Sequence, residues 1–146
     1  MGGADHPMDA VDRLARKSVY DPMEELAMLV EWADAWLDEN VSQPYKDQPL
    51  AQDWARVAKI GEEGGEAIDA LIGMTGQNPR KGRYASEEEL LAELADTALT
   101  AIYATQHFTK DIRRTIRSIQ ERARYHRRRI EGGEINPDDP VWTPSR

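Results

Sequence analysis

Apolar residues recur along this chain at the three- and four-residue spacing of helices, and no segment alternates with the period of two that marks a strand. Leu26, Leu29, Val30, Ala33 and Leu37 form the first stripe, and Asp21 followed by Pro22 supplies an N-cap and a proline at the first helical position. A helix is predicted from about Pro22 to Glu39. A polar loop with two prolines fills Val41 to Pro49, and Leu50, Trp54, Val57, Ile60, Ile68 and Leu71 then predict a second helix from about Leu50 to Ile72. Gly73 to Gly82 is a loop rich in glycine. Ser86 with Glu89 three residues on is a capping box, so a third helix starts near Glu87 and runs through Leu90, Leu91, Leu94, Ala98, Leu99 and Ile102 to about Phe108. Ile112, Ile116, Ile119, Ala123 and Ile130 carry a fourth helix, ending at Gly132 and Gly133.

About four helices joined by short loops predict an all-α helical bundle. The 146 residues suit one domain, divided as a mobile lead-in (1–21), a helical domain (22–134) and a proline-rich arm (135–146) that offers Val141 and Trp142 for docking. There is no cysteine, which excludes disulfides, thiolate nucleophiles and Cys-based zinc or iron–sulfur sites, so any metal is held by oxygen or imidazole. The longest uncharged run, Thr97 to Thr109, is shorter than the roughly 17–25 residues that span a bilayer. The N-terminus shows no basic-then-apolar signal pattern, so a soluble cytoplasmic protein without membrane contact is expected.

Net charge is −8, unevenly spread: Asp111 to Glu131 carries eight arginines against three acids, so a basic fourth helix is joined to an acidic remainder. Long-range repulsion by that remainder argues against a nucleic-acid partner.

Two carboxylate pairs stand out, Glu63-Gly-Gly-Glu66 on the second helix and Glu93-Leu-Ala-Asp96 on the third. Residues three apart share a helix face, so side-by-side packing would bring four carboxylates to one point. Hard cations such as Mg²⁺ take oxygen ligands of this kind. A chain this acidic also produces such spacings on a wet surface, and Glu31-Trp-Ala-Asp34 is read as a solvated pair of that sort. Beyond Asp96 the same face continues through Thr100, Tyr103 and His107 without a charge until Lys110, so the third helix is expected to be buried nearly all round. Lys59, four residues before Glu63, supplies one ion pair and cannot neutralise four acids. Gly64 and Gly65 cost a helix about 1–2 kcal/mol relative to alanine, and close approach of another helix is the expected offset.

The run Lys59-Ile-Gly-Glu-Glu-Gly-Gly-Glu-Ala-Ile-Asp-Ala-Leu71, followed by Glu93-Leu-Ala-Asp-Thr-Ala-Leu99, resembles the paired EExxE and ExxD motifs of the MazG-like all-α nucleoside triphosphate pyrophosphohydrolases. The resemblance covers about Trp54 to Phe108. It implies a helical bundle that forms a homodimer or homotetramer, with Mg²⁺, or Mn²⁺ as a substitute, on Glu63, Glu66, Glu93 and Asp96. It further implies cleavage of a nucleoside triphosphate between the α and β phosphates, with Glu62 as an additional acid positioning the attacking water and Glu63 beside it. Gly64-Gly65 departs from the pattern, where a larger residue is expected.

Candidates for contact with substrate are Lys59, Arg80 and Lys81, Lys110, Arg113 and Arg114 for phosphates, and Tyr103 for a base. Trp32, Trp36 and Trp54 could stack a base as well, with core or subunit packing the favoured reading for each of these aromatics, and His107 is read as a core or rim residue. Two other functions compete: an interaction bundle without chemistry, indifferent to Mg²⁺, and an RNA-binding protein using the arginine-rich helix, whose affinity falls steeply with salt.

Overall fold

The computed structural model describes residues 21–41 and 45–131. The predicted lead-in up to residue 20, the stop at Gly132 and Gly133, and the proline-rich arm lie outside them. Four helices occupy the described residues, with no strand: α1 (Pro22–Glu39), α2 (Pro49–Thr75), α3 (Glu87–Thr109) and α4 (Ile112–Ile130). None is long and apolar enough to cross a membrane.

Local chemistry sets each boundary. The Asp21 carboxylate accepts the Met23 N–H, Pro22 opens α1, and Glu24 and Glu25 lie at the positive end of its dipole. Both halves of the Ser86–Glu89 capping box form at the start of α3. Asp111 accepts the N–H groups of Arg113 and Arg114 to start α4, whose last turn places Arg127, Arg128 and Arg129 at the negative end. At its far end α2 runs three residues beyond the predicted stop, because nothing interrupts the hydrogen-bond ladder before Gly76, which turns left-handed at φ +70°.

The chain divides into two compact units between Lys110 and Asp111. In the first, α2 and α3 form a hairpin and α1 packs on α3. The hairpin is drawn tight at its turn: the Tyr84 N–H donates to the Gly73 carbonyl at 3.1 Å, and the Tyr84 ring lies where a side chain at Gly73 would have to go. A single-turn helix at Tyr45–Asp47 is tied to α2 by the Gln52 amide, which donates to the Tyr45 and Lys46 carbonyls. In the second unit α4 is amphipathic, with Ile112 and Ile116 half-buried and its arginines mostly exposed.

The apolar centre of the first unit is thin, consisting of Val30, Ala33, Ala67, Ala70 and Ala104. The expectation that α3 is buried nearly all round fails. Leu91, Leu94 and Phe108 are exposed, and only Ala104 and Gln106 of that helix are fully buried, because α1 and α2 cover only part of its circumference. On α2, Leu50, Trp54, Val57, Ile68 and Leu71 are exposed as well. Together with Gly61 and Gly64 they follow one another at alternating four- and three-residue steps, the spacing of a helix–helix seam.

Close packing around Gly64 and Gly65 is also absent. A Cβ at either position, or at Gly61, meets nothing within 4 Å. Within the described chain these glycines face open space.

Candidate metal centre and its pocket

The hairpin register sets Glu63 and Glu66 of α2 opposite Asp96 and Glu93 of α3. One carboxylate oxygen each from Glu63, Glu93 and Asp96 lies within 4.8 Å of the other two. The spread of a single cation's ligand shell is similar, at metal–oxygen distances of about 2.0–2.6 Å. Glu66 stands one turn along, exposed, and its carboxyl is pushed above the ordinary range, chiefly by the Glu63 charge, then by desolvation and the Glu93 charge. All four acids therefore share one electrostatic environment, and Glu63, only 9% exposed, is its most buried member.

Lys59 is the counter-ion. Its ammonium lies 2.7 Å from Glu63 and 2.9 Å from Glu62, and those two hydrogen bonds hold its pKa above the usual lysine value. Among the described residues no basic side chain reaches salt-bridge distance of Glu66, Glu93 or Asp96, so one ammonium faces the whole cluster. A divalent cation fits this donor set: hard oxygen ligands, excess negative charge and an open side. Glu62 is not among the three acids whose oxygens converge and is more than half exposed beside Lys59.

Glu63 and Asp96 also form part of the wall of a cavity of about 990 Å³ within the first unit. Trp54, Tyr103 and Tyr45 bring aromatic surface to it, Leu37 and Val41 come from the end of α1, and Lys59 stands beside the acids. Burial, then the nearby Asp96 charge, push the Tyr103 phenol above its ordinary pKa. Trp54, read from sequence as packing, is 70% exposed and lines this cavity. The walls supplied by Leu37, Val41 and Tyr45 went unnoticed in the sequence. A helix end and a single turn carry no periodic signal that they meet α2 and α3.

Of the remaining basic candidates, Lys81 and Lys110 have carboxylate partners outside the Glu63, Glu93 and Asp96 group. Lys81 lies at the hairpin turn, 4.0 Å from Asp69 and over the Tyr84 ring, and Arg80 is exposed in the same turn. Arg113 and Arg114 belong to the second unit, where Asp111 caps their N–H groups. The Lys110 ammonium, half-exposed, donates to Asp34 at 3.0 Å and Asp38 at 2.7 Å.

The solvated reading of Glu31 and Asp34 divides. Glu31 is exposed, but Asp34 is 6% exposed. Its burial follows from Lys110, seventy-six residues away, a partner that helical periodicity does not reveal.

Comparison of the chain with protein-family models, with curated proteins and with solved structures finds no match.

Proposed function

We propose that this protein is a Mg²⁺-dependent nucleotide pyrophosphohydrolase of the MazG-like kind, acting in the cytoplasm on a nucleoside triphosphate to give the monophosphate and pyrophosphate. The supporting observation is the juxtaposition of the Glu63, Glu93 and Asp96 carboxylates with an aromatic-lined cavity whose wall includes two of them. A nucleotide needs both parts: a charged end for its phosphates and an apolar, stacking end for its base.

In this reading Glu63, Glu66, Glu93 and Asp96 hold the cation, with Mn²⁺ as a substitute. Bound there, Mg²⁺ would polarise the phosphoryl oxygens and lower the pKa of a water. Glu62, exposed at the edge of the cluster, accepts the proton of the attacking water. Lys59, half-exposed, turns its ammonium toward the phosphates. Trp54 and Tyr103 pack against the base and, with Leu37, keep the cavity apolar. Water attacks the α phosphorus, the bond from that phosphorus to the bridging oxygen breaks, and pyrophosphate leaves.

The seam on α2 supports a homo-oligomer, since Leu50, Trp54, Val57, Ile68 and Leu71 follow one another at helix-seam spacing and are exposed.

The test is pyrophosphate release from canonical and modified nucleoside triphosphates, with Mg²⁺, with EDTA and with Glu63→Ala. Release that needs both the metal and Glu63, falling roughly 10²–10³-fold in the variant, is the expected outcome. No release from any nucleotide by the folded, Mg²⁺-loaded protein refutes the proposal.

A further inference from the structure

At the other end of the α2–α3 hairpin a second group of ionisable side chains converges, and it differs from the first in containing an imidazole. Asp34 and Asp38 come from α1, and Asp53 and Arg56 from α2. His107 and Lys110 come from the last turn and C-cap of α3. One ligand atom each from Asp34, Asp38 and His107 lies within 4.8 Å of the other two. The Lys110 ammonium stands among them, 3.0 Å from Asp34 Oδ2, 2.7 Å from Asp38 Oδ2 and 3.4 Å from His107 Nδ1.

We propose that Asp34, Asp38 and His107 form a second divalent-metal site, of the mixed imidazole–carboxylate kind that suits Zn²⁺ or Mn²⁺, and that the Lys110 ammonium stands in for the metal ion in the metal-free protein.

Four observations support it. His107 is held by its far nitrogen, with Nε2 2.8 Å from Asp53 Oδ1. With Nε2–H donating to Asp53, the Nδ1 lone pair faces the ammonium, and a carboxylate that orients a histidine in this way is the usual outer partner of a metal-bound imidazole. Asp34 is more than nine-tenths buried, yet its Oδ1 has no hydrogen-bond partner, so the carboxylate has unused capacity at a point where desolvation makes that costly. Lys110 is the one non-glycine residue with positive φ, +49°, among the described residues. The chain tolerates left-handed backbone there, and the result is a cation delivered to this point. Finally, among the described residues Lys110 and Arg56 are the lysine and arginine at ion-pair distance from this group, against the three carboxylates of Asp34, Asp38 and Asp53. Replacing the ammonium by a divalent ion adds one positive charge to that set.

The three ligand atoms need to close only modestly to reach the roughly 2.0–2.2 Å of zinc–nitrogen and zinc–oxygen bonds. The Lys110 side chain is half-exposed and free to swing out. Arg56, bonded to Asp38 at 2.9 Å, lines the large cavity, so an ion here would brace one wall of it. The proposal does not depend on the hydrolase reading.

The test uses the full chain carrying Glu63→Gln and Asp96→Asn, which silence the first cluster, titrated with Zn²⁺ by calorimetry and with Co²⁺ by visible absorption. One Zn²⁺ per chain is expected to remain, with Co²⁺ bands typical of nitrogen and oxygen ligands. Asp53→Asn is expected to weaken binding by about 10–100-fold, and Lys110→Met, which removes the competing ammonium, to tighten it. In the otherwise unaltered chain Zn²⁺ should shift the His107 Nδ1 resonance in nitrogen-15 NMR, a readout that requires no variant to fold. No Zn²⁺ binding once the first cluster is silenced, no change of affinity in Lys110→Met, or an unmoved His107 resonance would each overturn the proposal.

Discussion

The two acidic clusters of the first unit are built alike and solved differently. Each gathers ionisable side chains from more than one helix, and each includes one lysine. At Glu63, Glu66, Glu93 and Asp96 the lysine is Lys59, on the helix of the first two, which reaches Glu62 and Glu63; among the described residues the other three acids have no cation at salt-bridge distance. At Asp34 and Asp38 the lysine comes from another element and bonds both, with Arg56 on the second carboxylate oxygen of Asp38. The first cluster stays electrostatically loaded, as the raised pKa of Glu66 records, and the second is largely compensated, as the lowered pKa of Asp38 records.

The comparison breaks most directly at the lysines. Lys110→Ala leaves the buried Asp34 carboxylate without its cation, and urea unfolding of the metal-free protein should show a loss of about 1–2 kcal/mol, below the value for a fully buried pair because Lys110 is half-exposed. Lys59→Ala should change stability far less, since its ion pairs lie within one helix and removing the ammonium breaks no contact between elements. Equal losses would show that the two clusters are not differently used.

Gly64→Ala and Gly65→Ala come next. Both positions are helical with open space around them, so each should stabilise the isolated chain by about 0.5–1 kcal/mol through helix propensity, read from the thermal midpoint at low protein concentration. If a second copy packs on the seam through Gly64, sedimentation should show weakened association at the same time.

A smaller effect appears on the acid limb. For Asp38, desolvation opposes ionisation, but the hydrogen bonds and charges of Lys110 and Arg56 outweigh it and hold the folded-state pKa below the ordinary 3.8. A group depressed in this way contributes stability above its unfolded pKa, and that contribution is lost as pH falls through the folded value. Asp38→Asn should therefore flatten the fall in stability below about pH 4, measured by denaturant titration across pH.

The smallest change is expected for Glu66→Gln. Glu66 is raised by its acidic neighbours and so disfavours the folded state once ionised. Removing the charge should raise the metal-free thermal midpoint slightly near neutral pH and reduce the further rise on adding Mg²⁺. A lower midpoint without metal would place Glu66 outside the repelling set.

Much of the helix layout was legible because its signals are local. Asp21 with Pro22, the Ser86–Glu89 box and Asp111 each act on N–H groups two or three residues away, so their effect is written within a few letters of the sequence. The paired spacing of Glu63 with Glu66 and Glu93 with Asp96 was legible for the same reason, since residues three apart share a face on any helix. The reading failed where an outcome depended on a distant segment. Asp34 has the spacing of a surface acid and becomes buried because Lys110 returns to it. Lys110 has the look of a phosphate ligand and is spent on Asp34 and Asp38. The third helix has apolar residues on most of its faces, and only the packing of α1 and α2 determines which of them are covered.

The sequence by itself therefore determined the helices, their caps and the faces on which the carboxylates stand, because hydrogen bonds and side-chain directions within a helix depend on neighbours a turn away. Tertiary structure alone decided which faces meet, which acids receive a cation and where a cavity opens between Trp54 and Tyr103. Those outcomes follow from hairpin register and from contacts between residues tens of positions apart, and no spacing along the chain encodes them.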